Sequence, residues 1–403
     1  MRLVEVRVAR EGDRVALVGR VEPAGRPATE LFFRFPAEYA PAGEPSADPF
    51  LAALLVPALV AGEPLVLEPP VSPRLLRRTA TVQDILTTWY PARRRIQVTA
   101  PVRSGVPAAG AGRGQGVGAF FSGGVDSCYT LVKSRLGLPS AADPITHLIF
   151  VKGFDAPLAE AAGLAASEAR LRDLAREYDC RFIAVETNLR DVLSAPWAEM
   201  HHGSALAAVG LALAPVLGTV LIPSSYDYLE LIPHGSHPLL DELWSTETTD
   251  FLHDGCEVNR VDRLALLVRH APALVDRLRV CWEGSHGGPV NCGHCGKCVR
   301  TMVILRSLGH LGATPSFPSE LPADYARSFT PEHRVYLDQV IDHAHMVGDA
   351  ELVRGLTRQA RLLDRTRGFR LALRSQPLGA AVLDLRAALL RRGWVLRSRA
   401  RRS

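Results

Sequence analysis

Four short apolar runs, each followed by a helix-like stretch, constrain most strongly how this chain can fold. They lie at residues 117–121, 148–151, 182–185 and 219–222. Between the second and third runs the spacing predicts an amphipathic helix, whose apolar face is formed by Leu171, Leu174, Ala175 and Tyr178. Continuous apolar strands that alternate with helices are typical of a parallel sheet covered on both faces. The sequence therefore predicts an α/β fold built on a doubly wound parallel sheet.

The regions on either side of this pattern differ from it in composition and in the spacing of their apolar residues. Residues 14–21 alternate apolar and polar side chains, which suits a small antiparallel sheet, and a more helical part follows. The stretch 107–116 is rich in glycine and alanine and has the composition of a linker. Beyond Cys298 the chain has a helical pattern and closes on basic residues. We predict an N-terminal α+β accessory domain (1–115), a central α/β domain (116–305) and a helical C-terminal region (306–403).

Composition narrows the class of protein. Of the 403 residues, 47% are apolar and 22% charged, which is ordinary for a globular chain. No apolar run approaches the roughly 20 residues that span a bilayer, and the alternating start at Met1 lacks the apolar stretch of a signal peptide. We therefore expect a cytoplasmic protein without a membrane partner. The net charge of +5 is modest, and we interpret the basic tail as a solvated terminus.

A glycine pair follows the first apolar run directly and precedes an apparent helix. The chain there reads Ser122-Gly123-Gly124-Val125-Asp126-Ser127. Two glycines let the backbone turn tightly and approach an anion, and the helix start presents free N–H groups and a positive dipole end. The two serines add hydroxyl donors. Asp126 would repel a phosphate unless a cation lies between them, for which Mg²⁺ is suited.

This loop lacks the Gly-Lys-Ser/Thr of the Walker type. It resembles instead the Ser-Gly-Gly-x-Asp-Ser loop of the N-type ATP pyrophosphatases, the PP-loop superfamily. The resemblance implies that Ser122, Gly123, Gly124, Val125, Asp126 and Ser127 bind the outer phosphates of ATP. A substrate oxygen would then attack the α-phosphorus and release pyrophosphate, with Asp126 and Ser127 among the catalytic residues. The alternative is a plain serine–glycine turn between a strand and a helix.

Four of the seven cysteines lie close together, at Cys281, Cys292, Cys295 and Cys298. Two overlapping C-x-x-C spacings and one upstream thiol can form a tetrahedral, closed site, which is typical of structural zinc. Three alternatives stay open: an iron–sulfur cluster on three cysteines, a sulfur carrier at Cys295 or Cys298, and replacement of one thiolate by His286 or His294. The other three cysteines, Cys128, Cys180 and Cys256, are interpreted as buried apolar residues.

The loop and the cysteines together resemble 7-cyano-7-deazaguanine synthase. That family ends its catalytic domain with a cysteine, a Gly-rich loop, C-G-x-C-x-x-C and an arginine, which correspond here to Cys281, Cys292 to Cys298 and Arg300. The resemblance covers about residues 117–305, and the flanking regions have no counterpart in the family. It implies ATP as a substrate, zinc on the four cysteines, and activation of a small-molecule carboxylate or modified-base precursor.

Further candidates follow the fourth apolar run, where the carboxyl edge of a parallel sheet would bind ligands. A segment dense in polar and aromatic groups contributes the substrate-binding candidates Ser224, Asp227, His237, Asp241 and Trp244. The alternative is a surface loop in which Trp244 packs. Two basic residues, Arg260 and Lys152, are assigned catalytic roles on pyrophosphate and on the α-phosphate. Arg263 is a second candidate for the former role, and His201 and His202 either contact substrate or cap a helix.

The expected reaction is the formation of an acyl adenylate that ammonia or an amine then converts to an amide, with release of AMP. Whether a nitrile follows stays open. The first alternative is an RNA thiolase that uses a cysteine or an iron–sulfur centre. The second is a non-catalytic nucleotide-binding assembly subunit. Partners implied are a nitrogen donor, a protein bound through the N- or C-terminal extension, and a second copy of the chain.

Overall fold

The computed structural model describes residues 1–41, 43–104, 114–138, 143–281, 290–330 and 333–374, and for 366–374 the backbone alone. The predicted linker lies mostly outside these ranges, as do His286 and the basic tail. No helix in the described ranges is both long enough and apolar enough to cross a membrane.

The strands are β1 Arg2–Glu11, β2 Arg14–Glu22, β3 Thr29–Pro36, β4 Leu65–Leu67, β5 Val98–Thr99, β6 Gly116–Phe120, β7 His147–Lys152, β8 Arg181–Thr187, β9 Leu217–Pro223 and β10 Asp250–Asp254. They form a ten-stranded, mainly parallel sheet in the order β10-β9-β6-β7-β8-β3-β2-β1-β4-β5. The four strands expected from the apolar runs are β6 to β9, and all four are confirmed. The edge strand β10 was not predicted.

The α-helices are α1 Asp48–Ala61, α2 Pro73–Trp89, α3 Val125–Arg135, α4 Ala161–Glu177, α5 Leu189–Val192, α6 His202–Ala212, α7 Pro238–Asp241, α8 Arg260–His270, α9 Pro272–Val275, α10 Gly296–Ser307, α11 Arg334–Met346 and α12 Ala350–Arg374. A short π-helix, Trp197–His201, leads into α6. The predicted amphipathic helix is α4, which buries Leu171 and Leu174.

The strands β10, β9, β6, β7 and β8 pair in parallel, with the earliest of them, β6, in the middle. Later strands lie on both sides of β6, so the connections leave its carboxyl end in opposite directions. At such a switch point the loops part and open a crevice for ligands. The arrangement confirms the predicted α/β class and is consistent with a Rossmann-like fold.

Helices cover both faces of this sheet. Along β6 the side chains alternate: Val117 and Ala119 join the core beneath α3, α4, α8 and α10, whereas Phe120 joins the core on the opposite face. The second face is covered chiefly by α1 and α6, which pack on each other. Helix α1 is apolar all round and its side chains from Phe50 to Val56 have no exposed surface, as expected of a fully enclosed helix.

The N-terminal strands extend the same sheet. Strands β1, β2 and β3 form the expected antiparallel meander. Strand β3 then pairs antiparallel with β8, through Phe33 opposite Thr187 and Arg34 opposite Glu186. The sheet and one of its two cores therefore run across the boundary predicted at residue 115. The division of the chain into domains at residue 115 stays a prediction.

Candidate functional site

The glycine-rich turn lies at the switch point, between the carboxyl end of β6 and the start of α3. Gly123 has a φ of +73°, a region that glycine adopts without strain, and Gly124 is the N-cap residue of α3 without a side-chain cap. Within the described part of the chain, the main-chain N–H groups of Ser122, Gly123, Val125 and Asp126 make no hydrogen bond. The turn therefore presents a row of free donors at a helix start, as an anion site requires.

The serine hydroxyls of the turn differ in exposure. Ser122 is exposed, and its Oγ accepts a hydrogen bond of 3.4 Å from the Gly124 N–H. Ser127 is 6% exposed, and its Oγ donates to the Gly124 carbonyl at 3.1 Å. Both hydroxyls thus stabilise the turn itself, and that of Ser122 also faces solvent where a ligand can reach it.

Two arginines of α8 hold the Asp126 carboxylate. Arg263 Nη1 donates to Oδ1 at 2.7 Å, and Arg260 Nη1 lies 3.3 and 3.2 Å from Oδ1 and Oδ2. Burial alone would raise the pKa of Asp126, but the two guanidinium groups outweigh it and lower the pKa. Asp126 is therefore ionised, and the two guanidinium groups already balance its charge. Its oxygens do not fit Mg²⁺ as they stand, and the bridging ion stays a prediction.

A second pair of arginines lies on the other side of the turn. The Arg279 N–H donates to the Gly123 carbonyl at 2.8 Å. Arg170 has two buried nitrogens, Nε and Nη2, without a hydrogen-bond partner among the described residues. Burial, and then the charge of Arg279, lower the pKa of Arg170. Two like charges beside free amides favour an anion between them. Sequence reasoning missed this pair because nothing distinguishes it from the many other arginines.

Lys152 ends β7 and is enclosed by carboxylates. Its Nζ lies 2.7 Å from Glu168 on α4 and 2.8 Å from Glu186 on β8. Glu186 also accepts from Arg14 and Arg34 of the N-terminal strands, at 2.6 and 3.2 Å. The predicted contact of Lys152 with an α-phosphate would require it to leave at least one of these partners.

The loop after β9 is connected to the turn through Arg263. This side chain is 1% exposed and donates to the carbonyls of Ser224 and Gly255 at 2.7 and 2.8 Å while it holds Asp126. The Ser224 Oγ lies 3.2 Å from the Cys256 Sγ and donates to the Tyr226 carbonyl. The structure thus brings Ser224, a predicted substrate residue, next to the predicted phosphate loop.

The other predicted substrate residues have local partners. Asp227 Oδ1 accepts from the main-chain N–H groups of Leu229 and Glu230, and its Oδ2 accepts from Gln339 at 2.8 Å. His237 is the N-cap residue of α7, where its Nδ1 accepts from the Leu239 N–H. These side chains shape the loop that follows β9.

Asp241 and Trp244 are enclosed in the protein. Asp241 is fully buried, and its Oδ2 bonds to Ser236 Oγ and His253 Nδ1, both at 2.7 Å. Burial alone would lower the pKa of His253, but hydrogen bonds to Asp241 and Cys256 raise it to about 9. Trp244 is 1% exposed and packs in the core shared with the N-terminal strands. Sequence reasoning did not identify His253, because its partner is set by the fold.

A row of aromatic rings lies at the carboxyl edge of the sheet. Successive ring centroids are 4.9, 5.5, 6.0 and 5.5 Å apart, along the series Phe154, Trp197, His202, His234 and Tyr226. Burial, and then the charge of His234, lower the pKa of His202 to about 4, and burial also lowers that of His234. The imidazoles are therefore neutral at pH 7 and suited to contact a flat ligand.

The four predicted cysteine ligands come together. Their sulfur atoms all lie within 4.8 Å of one another, with Cys281 and Cys295 4.0 Å apart and Cys292 and Cys298 3.9 Å apart. These separations far exceed a disulfide bond of about 2.05 Å. A tetrahedron with metal–sulfur bonds of about 2.3 Å has edges of about 3.8 Å, so the geometry fits a metal ion such as zinc.

The alternative ligands and thiols are placed elsewhere. His294 is exposed, and its Nδ1 lies 2.9 Å from the Cys292 carbonyl, not among the four sulfurs. His286 is outside the described residues. Burial raises the pKa of the Cys128 and Cys180 thiols, so neither is a ready nucleophile. Within the described ranges no other group of three or more possible metal ligands occurs.

Comparisons of this chain with protein-family models, with curated proteins and with solved structures found no match.

Proposed function

We propose that this chain binds ATP at the 122–127 turn and transfers AMP to a carboxylate. One observation carries the proposal: a glycine-rich turn at the switch point of a parallel sheet has free main-chain amides and opens a helix. The amides of Val125 and Asp126 are free at the start of any helix, and those of Ser122 and Gly123 are the two donors that this turn adds to them.

The charges around the turn support a polyphosphate ligand. Arg260 and Arg263 lie on the Asp126 side, and Arg170 and Arg279 lie on the Gly123 side. Of the five charged side chains, only Asp126 is negative, so the set carries a net charge of about +3 (four arginines minus one carboxylate). The buried Nε and Nη2 of Arg170, which have no partner among the described residues, could donate hydrogen bonds to a phosphate oxygen.

In the proposed reaction a carboxylate oxygen attacks the α-phosphorus of ATP, and the bond to the bridging oxygen of pyrophosphate breaks. The amides of the turn and the arginines stabilise the charge that develops on the departing pyrophosphate. Ammonia or an amine then attacks the acyl carbon, an amide forms, and AMP leaves with the pair of electrons. No side chain of the chain need form a covalent bond with substrate.

The row of rings from Phe154 to Tyr226 is the proposed acceptor site. Lys297, on α10, is close enough to Asp126 and to His202 for its charge to lower the pKa of both. It is therefore near both Asp126 and His202, and we propose that it holds the carboxylate of an acceptor. The proposed ligand is a flat acid, such as one resembling 7-carboxy-7-deazaguanine, which could pack against aromatic rings and neutral imidazoles.

The four cysteines are proposed to hold structural zinc, because four thiolates leave no open position. Bound zinc would fix the start of α10, where Cys295 is the N-cap residue. It would thereby fix Lys297 and Arg300, which both lie on that helix.

The proposal is tested by incubating the purified protein with ATP, ammonium and the deazaguanine acid, and by measuring AMP and pyrophosphate. We expect equal amounts of both products, dependent on the acid. Ser127→Ala should reduce the rate by at least about tenfold, since it loosens the turn. Ser134→Ala, near the other end of α3, is the matched control and should retain activity.

Two other outcomes would favour the alternatives. Iron and sulfide in place of zinc, together with sulfur transfer to RNA, would favour a thiolase. ATP binding without AMP formation, whichever candidate acid is added as substrate, would favour a non-catalytic assembly subunit. If ATP does not bind at all, the assignment of the turn is wrong.

A further inference from the structure

Helix α11 of the C-terminal region lies on the Asp126 side of the 122–127 turn, where it contacts α8. It packs on α8, which carries Arg260 and Arg263, and on α10. Gln339 of α11 donates to Asp227 Oδ2 at 2.8 Å. The Glu230 carboxylate accepts a hydrogen bond from the main-chain N–H of Tyr336. Two side chains of the loop after β9 thus fix α11 at the edge of the proposed site.

Tyr336 of α11 places a buried hydroxyl group in this region. The side chain is 5% exposed, and its ring lies 5.6 Å from that of Phe329, so the position of the ring is set by packing. The hydroxyl is buried and has no hydrogen-bond partner among the described residues. Buried hydroxyls in proteins are nearly always hydrogen-bonded, because leaving one unpaired is costly.

The charges that face this hydroxyl come from α8, α10, α3 and the loop after β9. Arg260 of α8 and Arg300 of α10 act on it most strongly, followed by Glu230 and then Asp126. Arg260 connects it to the turn, since its Nη1 lies 3.2 Å from Asp126 Oδ2. Arg300 is held beside it through a 2.8 Å hydrogen bond to the Ser328 carbonyl, next to Phe329. Burial raises the pKa of Tyr336, so the phenol keeps its proton and acts as a donor.

We propose that Tyr336 and Arg260 bind the terminal phosphates of ATP, and the pyrophosphate that leaves, from the side opposite Arg170. A hydroxyl donor between two guanidinium groups suits the oxygens of a polyphosphate. The inference rests on the proposed function and adds to it that the C-terminal region is part of the nucleotide site. No bond of Tyr336 breaks; its O–H donates a hydrogen bond.

The test uses the full-length protein and the variant Tyr336→Phe, which removes the O–H and keeps the ring. We expect the KM for ATP to rise about tenfold and inhibition by sodium pyrophosphate to weaken by a similar factor, as for one hydrogen bond to a charged group. The melting temperature should stay the same. Tyr325→Phe is the matched control, because this half-buried hydroxyl packs near Gly355 of α12 and should affect neither constant.

Direct calorimetric binding of sodium pyrophosphate gives a second measurement that needs no turnover. Equal pyrophosphate affinity in Tyr336→Phe and the unaltered protein would overturn the inference, while AMP formation by the unaltered protein would leave the proposed function standing. Unaltered protein that neither binds pyrophosphate nor forms AMP would overturn both. A variant that loses affinity only in proportion to a lower melting temperature would also overturn the inference.

Discussion

Asp126 connects the 122–127 turn to α8, and this makes it a structural residue as well as a candidate functional one. Its carboxylate is the counter-charge of Arg263, which is 1% exposed and has no other anionic partner within the described ranges. Removing one member of a buried ion pair leaves an uncompensated charge in the protein. A loss of activity in Asp126→Ala would therefore not by itself assign a role in catalysis.

We predict that Asp126→Ala lowers the free energy of unfolding by about 3 kcal/mol, the cost of leaving Arg263 buried and unpaired. Asp126→Asn should cost less, because the amide oxygen still accepts a hydrogen bond. Urea denaturation followed by circular dichroism measures both. Asp173→Ala, which breaks an exposed pair with Arg176, is the control and should cost under about 0.5 kcal/mol. Equal effects of Asp126→Ala and Asp173→Ala would contradict the prediction.

The His253–Asp241 pair should make stability depend on pH. The folded-state pKa of about 9 exceeds the ordinary value of 6.5, so protonation of His253 favours the folded state. This contribution is complete below pH 6.5 and is lost as the pH rises through 9. Its full size is about 3 kcal/mol, from 1.36 kcal/mol for each of about 2.5 pH units.

The measurement compares the urea midpoints of the unaltered protein and His253→Gln from pH 6 to 9.5. We expect the difference between them to shrink as the pH rises, because only the unaltered protein loses a stabilising proton. Groups that do not contact His253 are common to both proteins, so their titration cancels in the difference. A difference that does not change with pH would show that folding leaves the pKa of His253 unaltered, which would contradict the prediction.

The sequence located those parts of the site that are contiguous in the chain. The 122–127 segment forms a turn between a strand and a helix, as predicted. The four cysteines come close to one another, also as predicted, because their short spacing restricts their geometry. The partners of Asp126 and the buried Arg170 could not be inferred in this way. Arg263 lies 137 positions from Asp126, and only the docking of α8 against α3 brings them together.

Among the elements, the turn between β6 and α3 is the most constrained. Gly123 has a positive φ, and a Cβ atom there would lie 2.8 Å from Leu171 Cδ2 on α4. A side chain at this position would therefore meet both backbone strain and a steric clash. Because Gly123 has no side chain, Leu171 and the rest of α4 can lie close to the turn. This brings Arg170 of α4 beside the turn.

We predict that Gly123→Ala costs more stability than Gly137→Ala and alone weakens ATP binding. Gly137, just after α3, also has a positive φ, but nothing lies within 4 Å of its Cβ position. Gly137→Ala should therefore show the backbone cost alone, about 1 kcal/mol. Urea denaturation and calorimetric titration with ATP separate the two effects. Similar ATP affinities in the two variants would mean that the turn does not bind the nucleotide.

The residues just before Cys281 are joined to the turn by one main-chain hydrogen bond and to Asn291 by side-chain hydrogen bonds. Asn291 Oδ1 accepts from the N–H groups of Val280 and Cys281, and the adjacent Arg279 N–H donates to Gly123. The position of Arg279 therefore depends on the segment that carries the first metal ligand.

We predict that removing the metal by a chelator, or by Cys295→Ser, weakens ATP binding by about tenfold or more as well as lowering the melting temperature. The metal should be present at one ion per chain in the unaltered protein. Cys180→Ser, a thiol on the same face of the sheet but outside the cluster, is the control and should keep both the metal and the affinity. Metal-free protein that binds ATP normally would contradict this coupling.

Strand prediction succeeded where both faces of a strand are buried and failed at the edge. Strands β6 to β9 are continuous apolar runs, as expected between two layers of helices. Strand β10, Asp-Phe-Leu-His-Asp, has one sheet neighbour and polar ends that bond to other elements, so its pattern was not recognised. The junction of β3 with β8 could not be predicted, because two strands distant in the chain give no local signal when they pair.

At the scale of the whole molecule, one sheet holds the N-terminal and central regions together. The core on the α1 side contains side chains from both, among them Phe33 and Phe50 with Ile149 and Ile183. Glu186 also joins the two regions by ion pairs. It pairs with Arg14 and Arg34 of the N-terminal region and with Lys152 of the central region. The two regions should therefore unfold as one cooperative unit.

This is tested by a cavity in α1 and a reporter on the far side of the sheet. Leu54 has no exposed surface and lies in the core on the α1 side, whereas the four cysteines belong to the opposite core. Leu54→Ala should cost about 3 kcal/mol, typical of a buried leucine. Because the sheet is common to both cores, we expect the temperature of metal release to fall by the same number of degrees as the circular dichroism midpoint.

The control is Leu362→Ala on α12, where the leucine is 54% exposed and its removal creates no cavity. This variant should release metal at the temperature of the unaltered protein. If residues 1–115 formed an independent domain, Leu54→Ala would shift only part of the circular dichroism transition and leave metal release in place. A common shift of both signals would instead mean that the N-terminal region is an integral part of the cooperative unit. Destabilising it would then also destabilise the proposed nucleotide site, which lies on the same sheet.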